Sequence, residues 1–240
     1  MPISVNRSQH HCNTRYLRWL DKISKTSYTT IVMKIFDLQI SQQQYMRLAK
    51  GNWRLPFWIF TPLAIGQIGM ALFAYQTPVL IALALVVLGF LFWGVQEYAL
   101  HRFPFHWNFK HGLIKFFTSG FHSLHHQVPQ NKEYIVAPIY LALWGQLLTE
   151  LFFYVITRDV ASTHLLGGGL AVGYMYYEWV HYLCHHKAVK SRYYQRLKDA
   201  HLHHHFKTPK KIFGVSYPFW DYVFGTYVKP TTSLHQNPSQ

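Results

Sequence analysis

The longest stretch without an ionisable side chain limits the class of fold that this chain can adopt. From Leu55 to Gln96 there is no Asp, Glu, Lys, Arg or His. That length is too great for one helix in a soluble core, and it suits two membrane spans of about 20 residues each. The stretch breaks at Tyr75-Gln76-Thr77-Pro78. We therefore predict transmembrane helices at about 57–75 and 79–100, joined by a tight turn.

A second apolar block, from Tyr134 to Leu183, predicts two more spans. It breaks near Arg158-Asp159-Val160, which gives helices at about 134–157 and 161–183. The spacing Gly169-x-x-x-Gly173 in the last of them favours close approach of a neighbouring helix. The predicted fold is an all-α integral membrane protein with four transmembrane helices in two hairpins.

The distribution of positive charge predicts the orientation of these spans. The chain has 23 Lys and Arg against 9 Asp and Glu, which gives a formal net charge of +14. Nearly all of the Lys and Arg lie in residues 1–55, 101–133 and 184–240, whereas the turns inside the two hairpins hold only Arg158. The positive-inside rule then places both termini and the middle loop on the cytoplasmic side.

These boundaries divide the chain into three parts. Residues 1–55 are predicted to be a basic cytosolic N-terminal segment, residues 56–230 the membrane-embedded domain and residues 231–240 a disordered tail. The basic face suits anionic lipid head groups and acidic proteins. No nucleic-acid-binding pattern is present, so nucleic acid is not expected as a partner. No apolar core of the signal-peptide type is seen, and two cysteines give no disulfide framework.

Seventeen histidines are the most unusual feature of the composition. Ten of them form four clusters beside the predicted spans or in the cytoplasmic segments: His101, His106, His122, His125, His126, His181, His185, His201, His204 and His205. Positions i, i+3 and i+4 of a helix lie on one side. Each His-x-x-His-His repeat is therefore expected to direct its three imidazoles to one point. His181 and His185, spaced i and i+4 at the end of the fourth span, are expected to direct their two imidazoles to one side in the same way. We expect His101 and His106 to straddle a helix end, where the chain bends near Pro104.

Ten converging imidazoles cannot all be protonated, because like charges repel. Neutral imidazole is a ligand for iron, zinc, copper and nickel. One zinc ion takes about four ligands, so ten imidazoles indicate two metal ions with about five nitrogens each.

Carboxylates are scarce in this chain, and three of them are candidates to support the metal ligands. Glu97 precedes His101 by four residues, and Glu178 precedes His181 by three. Each is placed to accept the outer imidazole N–H and so fix the tautomer of the ligand. Asp221 is a candidate either for the same role or for a local cap.

A site of this size at the edge of the bilayer indicates a reaction on a lipid. Unactivated C–H bonds in acyl chains are attacked by oxidants made from O2, which requires a redox-active metal. Zinc is redox-silent, so iron is expected for catalysis, although the ligand spacing does not exclude zinc.

The residues around the histidines resemble the fatty acid hydroxylase superfamily, specifically the fatty acid 2-hydroxylases, from about Phe90 to Tyr227. The matching motifs are Glu97-Tyr98-x-x-His101-Arg102-x-x-x-His106, His122-x-x-His125-His126, Gly167-Gly168-Gly169, Tyr176-Tyr177-Glu178-x-x-His181-Tyr182-x-x-His185-His186, Leu197-Lys198-x-x-His201-x-x-His204-His205-Phe206, Phe213-Gly214-Val215 and Trp220-Asp221-x-Val223-Phe224-Gly225-Thr226. Order, spacing and flanking residues all match.

The resemblance implies a membrane enzyme with a cytosolic helical cap that holds a dimetal centre. Such enzymes insert one oxygen atom of O2 at C2 of an acyl chain, often in a sphingolipid. The other atom leaves as water, with two electrons from a donor. The family's ten ligand histidines fall on the ten named above, iron is expected and zinc has also been associated with this site. The membrane is then the endoplasmic reticulum or a bacterial inner membrane.

The electron donor is where the sequence departs from some members of the family. No His-Pro-Gly-Gly haem motif occurs, and residues 1–50 are too few for a fused cytochrome b5 domain. The resemblance therefore implies a separate donor, such as cytochrome b5 or a ferredoxin with its reductase, for which the basic face offers a docking surface.

Two other functions stay open from the sequence. One is a sterol, carotenoid or alkane oxidase with the same metal centre. The other is a metal transporter or sensor, which would need polar groups along a path through the bilayer. Glu150 and His164 are among the few such groups in the predicted spans.

Overall fold

The computed structural model describes residues 33–35, 38–40, 42–107, 115, 118 and 120–230. The predicted tail at 231–240 and most of the basic segment at 1–55 lie outside these residues. A short antiparallel hairpin comes first, with β1 (Met33–Ile35) paired to β2 (Leu38–Ile40) and Met33 opposite Ile40. The rest of the regular structure in the described residues is helical, as the sequence predicts.

Eight helices follow the hairpin in the described part of the chain. They are α1 (Gln42–Leu48), α2 (Leu55–Gly69), α3 (Val79–Leu100), α4 (Phe121–Gln127), α5 (Ile139–Thr157), α6 (Val160–His186), α7 (Arg192–Phe206) and α8 (Phe219–Val223). Two of them continue into π-helical turns, α2 through Met70–Ala74 and α3 through His101–Phe105.

Three of these helices are long and apolar enough to cross a membrane. They are Leu55–Ala74, Val79–Phe105 and Ile139–Thr157. Their outer faces carry large apolar side chains that no other element covers, such as Trp58, Leu80 and Leu148, which are 76%, 79% and 61% exposed. Continuous apolar surfaces of this kind are typical of contact with lipid rather than with water.

The fourth predicted span is α6, and it differs from the other three in its surroundings. It packs against α2, α3 and α5 at the centre of the bundle, and most of its residues from Ala161 to Tyr174 are buried. A helix enclosed by other helices does not need lipid-facing apolar side chains. This explains why α6 has polar and small residues and is not among the three apolar spans.

Glycines in α6 allow the close approach that the Gly169-x-x-x-Gly173 spacing predicts. A Cβ atom at Gly169 would collide with the carbonyl oxygen of Val86, and one at Gly173 would collide with the side chain of Trp93. On the opposing helix, a Cβ atom at Gly89 would collide with the carbonyl oxygen of Leu166. The α3–α6 crossing is therefore in backbone contact, as small residues permit between membrane helices.

A polar cluster links α2, α5 and α6 within the apolar region. Glu150 Oε1 accepts hydrogen bonds from Gln67 Nε2 at 2.7 Å and from Gln146 Nε2 at 2.6 Å. Gln146 Nε2 is also 2.9 Å from the carbonyl oxygen of Gly167. Paired polar groups are the form in which such side chains occur between membrane helices.

Two helix ends differ from the predicted bounds: the third span begins later, and the fourth ends later and so includes both of its histidines. The third span begins at Ile139 rather than at Tyr134, because Pro138 starts the helix and residues 134–136 are buried in an irregular segment. α6 extends three residues beyond the predicted end at Leu183, so His181 and His185 lie on one continuous helix.

Candidate metal centre

Four segments bring the ten histidines together at one end of the bundle. They are the end of α3 with its π-helical turn, α4, the last turns of α6, and α7. The imidazoles form two adjacent groups, and within each group the candidate ligand nitrogens all lie within 4.8 Å of one another. The first histidine group is His101, His106, His122, His126 and His204, and the second histidine group is His125, His181, His185, His201 and His205.

The π-helical turn at the end of α3 explains how histidines five residues apart reach one group. A π-helical turn hydrogen-bonds residue i to residue i+5. It therefore places His101 and His106 one turn apart on the same side, with Pro104 inside the turn. The expected bend near Pro104 takes this form.

The two His-x-x-His-His repeats do not each face one point, and that expectation is wrong. On α4, His122 and His126 belong to the first group and His125 to the second. On α7, His201 and His205 belong to the second group and His204 to the first. Each helix lies between the two groups, so its i and i+4 imidazoles turn to one side and its i+3 imidazole to the other.

Distances between the ring nitrogens fit ligands that surround a shared cation. His122 Nε2 lies 3.1, 3.1 and 3.0 Å from the Nε2 atoms of His101, His106 and His126. One imidazole nitrogen has either one hydrogen or one lone pair, so hydrogen bonds cannot account for all three contacts. Two nitrogens at right angles around a metal, with metal–nitrogen distances of about 2.0–2.1 Å, are about 2.9 Å apart.

The second histidine group has the same spacing. His125 Nε2 is 2.9 Å from His181 Nε2 and 3.1 Å from His205 Nε2. His201 Nε2 is 2.8 Å from His185 Nε2 and 3.1 Å from His205 Nε2. The rings of His126, in the first group, and His205, in the second, stack at a centroid distance of 4.0 Å, so the two groups are in direct contact.

Burial keeps these imidazoles neutral, as metal ligation requires. In the first group, burial lowers the pKa of His106 to about 4, and burial with the neighbouring His106 lowers the pKa of His204 to about 3. In the second group, burial and the adjacent imidazoles hold the pKa values of His125 and His201 well below the ordinary 6.5. At neutral pH the nitrogens therefore present lone pairs rather than positive charge.

A loop after α7 holds two histidines of the first group by its backbone. We call residues 211–216 the clamp loop. His101 Nδ1 lies 2.5 Å from the carbonyl oxygen of Phe213, and His204 Nδ1 lies 2.7 Å from that of Lys211. A carbonyl can only accept, so each Nδ1 donates its hydrogen and each Nε2 keeps the lone pair that a metal needs.

Two buried carboxylates hold the clamp loop in place. Asp221 accepts from the amides of Phe213 at 2.8 Å and Gly214 at 2.7 Å. Glu97 accepts from the amides of Val215 at 2.5 Å and Ser216 at 2.8 Å, and also from the Ser216 hydroxyl. Four consecutive amides are thus bound by two side chains.

The expectation that Glu97 and Glu178 each accept from an imidazole is therefore wrong, whereas Asp221 has the local capping role that was one of its two expected roles. Glu97 does not accept from an imidazole, because the Phe213 carbonyl occupies that position beside His101 and Glu97 acts on the loop behind it. Asp221 caps the same loop. Glu178 is 2% exposed, its Oε2 has no hydrogen-bond partner, and it forms no hydrogen bond to an imidazole among the described residues.

The carbonyl groups of Lys211 and Phe213, which accept from His204 and His101, were not predicted from the sequence. A backbone acceptor leaves no trace in residue type, because every residue has one. The nearest signal is the Phe213-Gly214-Val215 motif, which would have pointed to this loop without revealing its contact with His101.

The fold and the site together define a helical membrane protein with two adjacent histidine groups that can each hold a metal ion. Comparison with known proteins gives its family. The family model described as "Fatty acid hydroxylase" matches residues 86–226, which contain all ten histidines, and the chain belongs to this family.

Relatives in the family carry hydroxylase names. Ceramide very long chain fatty acid hydroxylase scs7 of Schizosaccharomyces pombe is 32% identical over 156 residues, covering 62% of this chain and 44% of the relative. Dihydroceramide fatty acyl 2-hydroxylase FAH2 of Arabidopsis thaliana is 34% identical over 148 residues, covering 59% and 60%. Fatty acid 2-hydroxylase of Rattus norvegicus is 32% identical over 220 residues, covering 87% and 55%. The chain thus spans about half the length of these relatives.

A solved structure shares the fold. It is described as full length scs7p with only the hydroxylase domain visible, and it aligns with a TM-score of 0.73 at 25% identity. The alignment covers 95% of this chain and 91% of that chain.

Proposed function

We propose that this protein is a membrane-bound dimetal monooxygenase that hydroxylates C2 of fatty acyl chains, as free acid, ceramide or another lipid. The observation that carries the proposal is the convergence of ten neutral imidazoles in two groups at the end of a membrane helix bundle. Family membership and the names of the relatives support the substrate class.

All ten histidines of the two groups are proposed as metal ligands, five to each ion. Two iron ions fit the expected reaction, although zinc would fit the same nitrogens. When bound, the metal pair would supply the activation of O2 that an unactivated C–H bond requires.

The reaction converts a CH2 group at C2 into CHOH. One C–H bond breaks, one oxygen atom of O2 enters, and the other oxygen atom leaves as water with two protons and two electrons. The chain's own residues hold the imidazoles neutral by burial and orient two of them through the clamp loop. A separate donor, such as cytochrome b5 or a ferredoxin with its reductase, would supply the electrons.

We further propose four spans, with α6 as the fourth, and a cytosolic helical cap that includes α4, α7 and α8. Both termini and the metal centre would then face the cytoplasm, in the endoplasmic reticulum or a bacterial inner membrane. The support is the excess of Lys and Arg in the segments on that side.

Product analysis under isotopically labelled O2 tests the function. The purified chain in lipid vesicles, supplied with iron and a donor system, is expected to form 2-hydroxyacyl lipid with one labelled oxygen atom, and its metal content is measured on the same sample. An oxidised sterol, carotenoid or alkane in place of that product would assign the other oxidase function. Metal uptake into the vesicles without any oxidised lipid would assign transport.

A further inference from the structure

The hydrogen bonds of the outer imidazole nitrogens differ between the two histidine groups. In the first group, His101 and His204 each meet a backbone carbonyl of the clamp loop. In the second group, the Nδ1 atoms of all five histidines are buried and have no hydrogen-bond partner among the residues that the structure describes. The two groups therefore share spacing and ligand type but not the means by which their rings are oriented.

The backbone of the clamp loop is shaped for the contacts with the first group. Ile212, which separates the two accepting carbonyls, has φ +58°, a left-handed conformation that a β-branched residue rarely adopts. It is 1% exposed, and its amide donates to the carbonyl oxygen of Thr226 at 3.0 Å. Such a conformation persists only where the surroundings impose it.

Those surroundings are Glu97 and Asp221 with their partners. Asp221 Oδ1 also accepts from the hydroxyl of Thr226 at 2.7 Å, and Thr226 contacts the Tyr98 hydroxyl at 2.9 Å. The clamp loop is thereby tied to α3, the helix that continues into the π-helical turn at His101. None of these bonds reaches the second histidine group.

We infer that the two metal sites have unequal affinities, and that Glu97 and Asp221 are the positioning residues that make the first histidine group the tighter site. This inference rests on the proposed function, because it requires both groups to bind metal. Partners that orient a ligand imidazole are worth about 10–100-fold in metal affinity. In the second group, the rings are oriented by packing against one another, and a bound ion would have to supply the rest.

Equilibrium competition for Zn²⁺ tests the inference without any activity measurement. The full chain in detergent is equilibrated with Zn²⁺ buffered by a chelator over a range of free concentrations, and bound zinc per chain is measured by mass spectrometry. Equilibrium is needed rather than a rate of loss, because His106 and His126 are partly exposed and a chelator would reach the first group sooner.

Wild-type protein is expected to bind two ions in two steps, separated about 10–100-fold in free Zn²⁺. His106→Ala removes the tight step and His125→Ala removes the weak one. Asp221→Asn shifts only the tight step to higher Zn²⁺, by about 10-fold or more. The matched control is Asp199→Asn, a carboxylate on the ligand-bearing helix α7 whose side chain accepts from Gln195; neither step is expected to move.

A milder variant covers the case in which Asp221→Asn does not fold. Ser216→Ala removes the hydroxyl donor to Glu97 and keeps both amides, so a smaller shift of the same step is expected. The inference is overturned if both ions bind in one step, or if the clamp variants shift the weak step as much as the tight one. Protein that binds no zinc at all would overturn the proposed function instead.

Discussion

At the scale of single residues, the site depends on how ten identical side chains are divided. On α4 and α7, which each lie between the two groups, a shift of one residue along the helix moves an imidazole from one group to the other. On α6 the same shift moves it out of the site, because His185 belongs to the second group and the adjacent His186 belongs to neither.

Replacement of His125 by Ala tests the ligand assignment. His125 has 2% exposure and its Nε2 contacts two other nitrogens of the second group. We expect product formation to fall by more than about 100-fold, since even residues that only orient a ligand contribute 10–100-fold. Elution as a monodisperse species in detergent would show that the fold is retained.

The matched control is His186→Gln, which changes a neighbouring half-buried histidine outside both groups. It should keep two metals per chain and near wild-type product formation. Full activity of the His125→Ala variant would contradict the assignment.

Acidification should destabilise the metal-free protein. The folded-state pKa values of His106 and His204 are about 4 and about 3, both lowered chiefly by burial, against 6.5 for an ordinary histidine. Between pH 6.5 and about 4 the unfolded chain binds more protons than the folded chain, so the free energy of unfolding decreases as pH falls. Thermal unfolding of the metal-free protein in detergent, followed from pH 8 to about 4, is expected to show a falling midpoint. A flat profile across this range would contradict it.

At the scale of elements, the position of the site depends on the contact between α3 and α6. These helices carry His101, His181 and His185, and their backbones touch where Gly89 and Gly169 leave no side chain. Any change that separates the helices also moves the histidines at their ends.

The variant Gly89→Ala tests this contact. Its Cβ atom would collide with the carbonyl oxygen of Leu166, so a backbone must shift. We expect a loss of about 1–3 kcal/mol in the free energy of unfolding, as for other overpacked sites. The control is Gly66→Ala on α2, where a Cβ atom meets nothing within 4 Å. That change should be neutral or slightly stabilising, because Ala favours helix. Equal effects of the two substitutions on thermal stability in detergent would disprove the argument.

At the scale of the whole molecule, charge and apolar surface are separated. Apolar side chains cover the outside of α2, α3 and α5. Nearly all of the Lys and Arg lie in residues 1–55, 101–133 and 184–240, which are the segments predicted to be cytoplasmic. This separation is the basis for the proposed orientation and for the proposed donor surface.

Cysteine labelling tests the orientation. In a Cys12→Ser background, with Cys184 buried, a cysteine replacing Gln76 lies in the turn between α2 and α3, and one replacing Lys190 lies between α6 and α7. We expect a membrane-impermeant maleimide to label the Gln76 position from the non-cytoplasmic side and the Lys190 position from the cytoplasmic side. Labelling of both from one side would refute the proposed topology.

Salt should weaken the coupling to an electron donor. Electrostatic attraction between a basic face and an acidic donor is screened over about 10 Å at 0.1 M salt, and its main effect is on association. At fixed substrate, we expect the KM for the donor to rise as salt increases, with little change in kcat. A KM that is independent of salt would argue against a docking surface formed by the basic segments.

The sequence determined the chemistry and the coarse architecture. Long apolar stretches predicted four spans, of which three are apolar enough in the structure to cross a membrane, and the count of ten clustered histidines indicated two metal ions with about five nitrogens each. These features depend on residue type and short-range periodicity, which are present in the chain itself. The sequence could not show which imidazole joins which set, because that depends on where α4 and α7 lie relative to the ends of α3 and α6.

Only the tertiary structure decided how the clustered histidines are supported. Glu97 and Asp221 are far apart in the chain and both bind the clamp loop, whose carbonyls then meet His101 and His204. Backbone acceptors are the same at every position of a sequence. Their use by a particular side chain is therefore fixed only when distant segments pack together, and the difference between the two histidine groups appears only at that level.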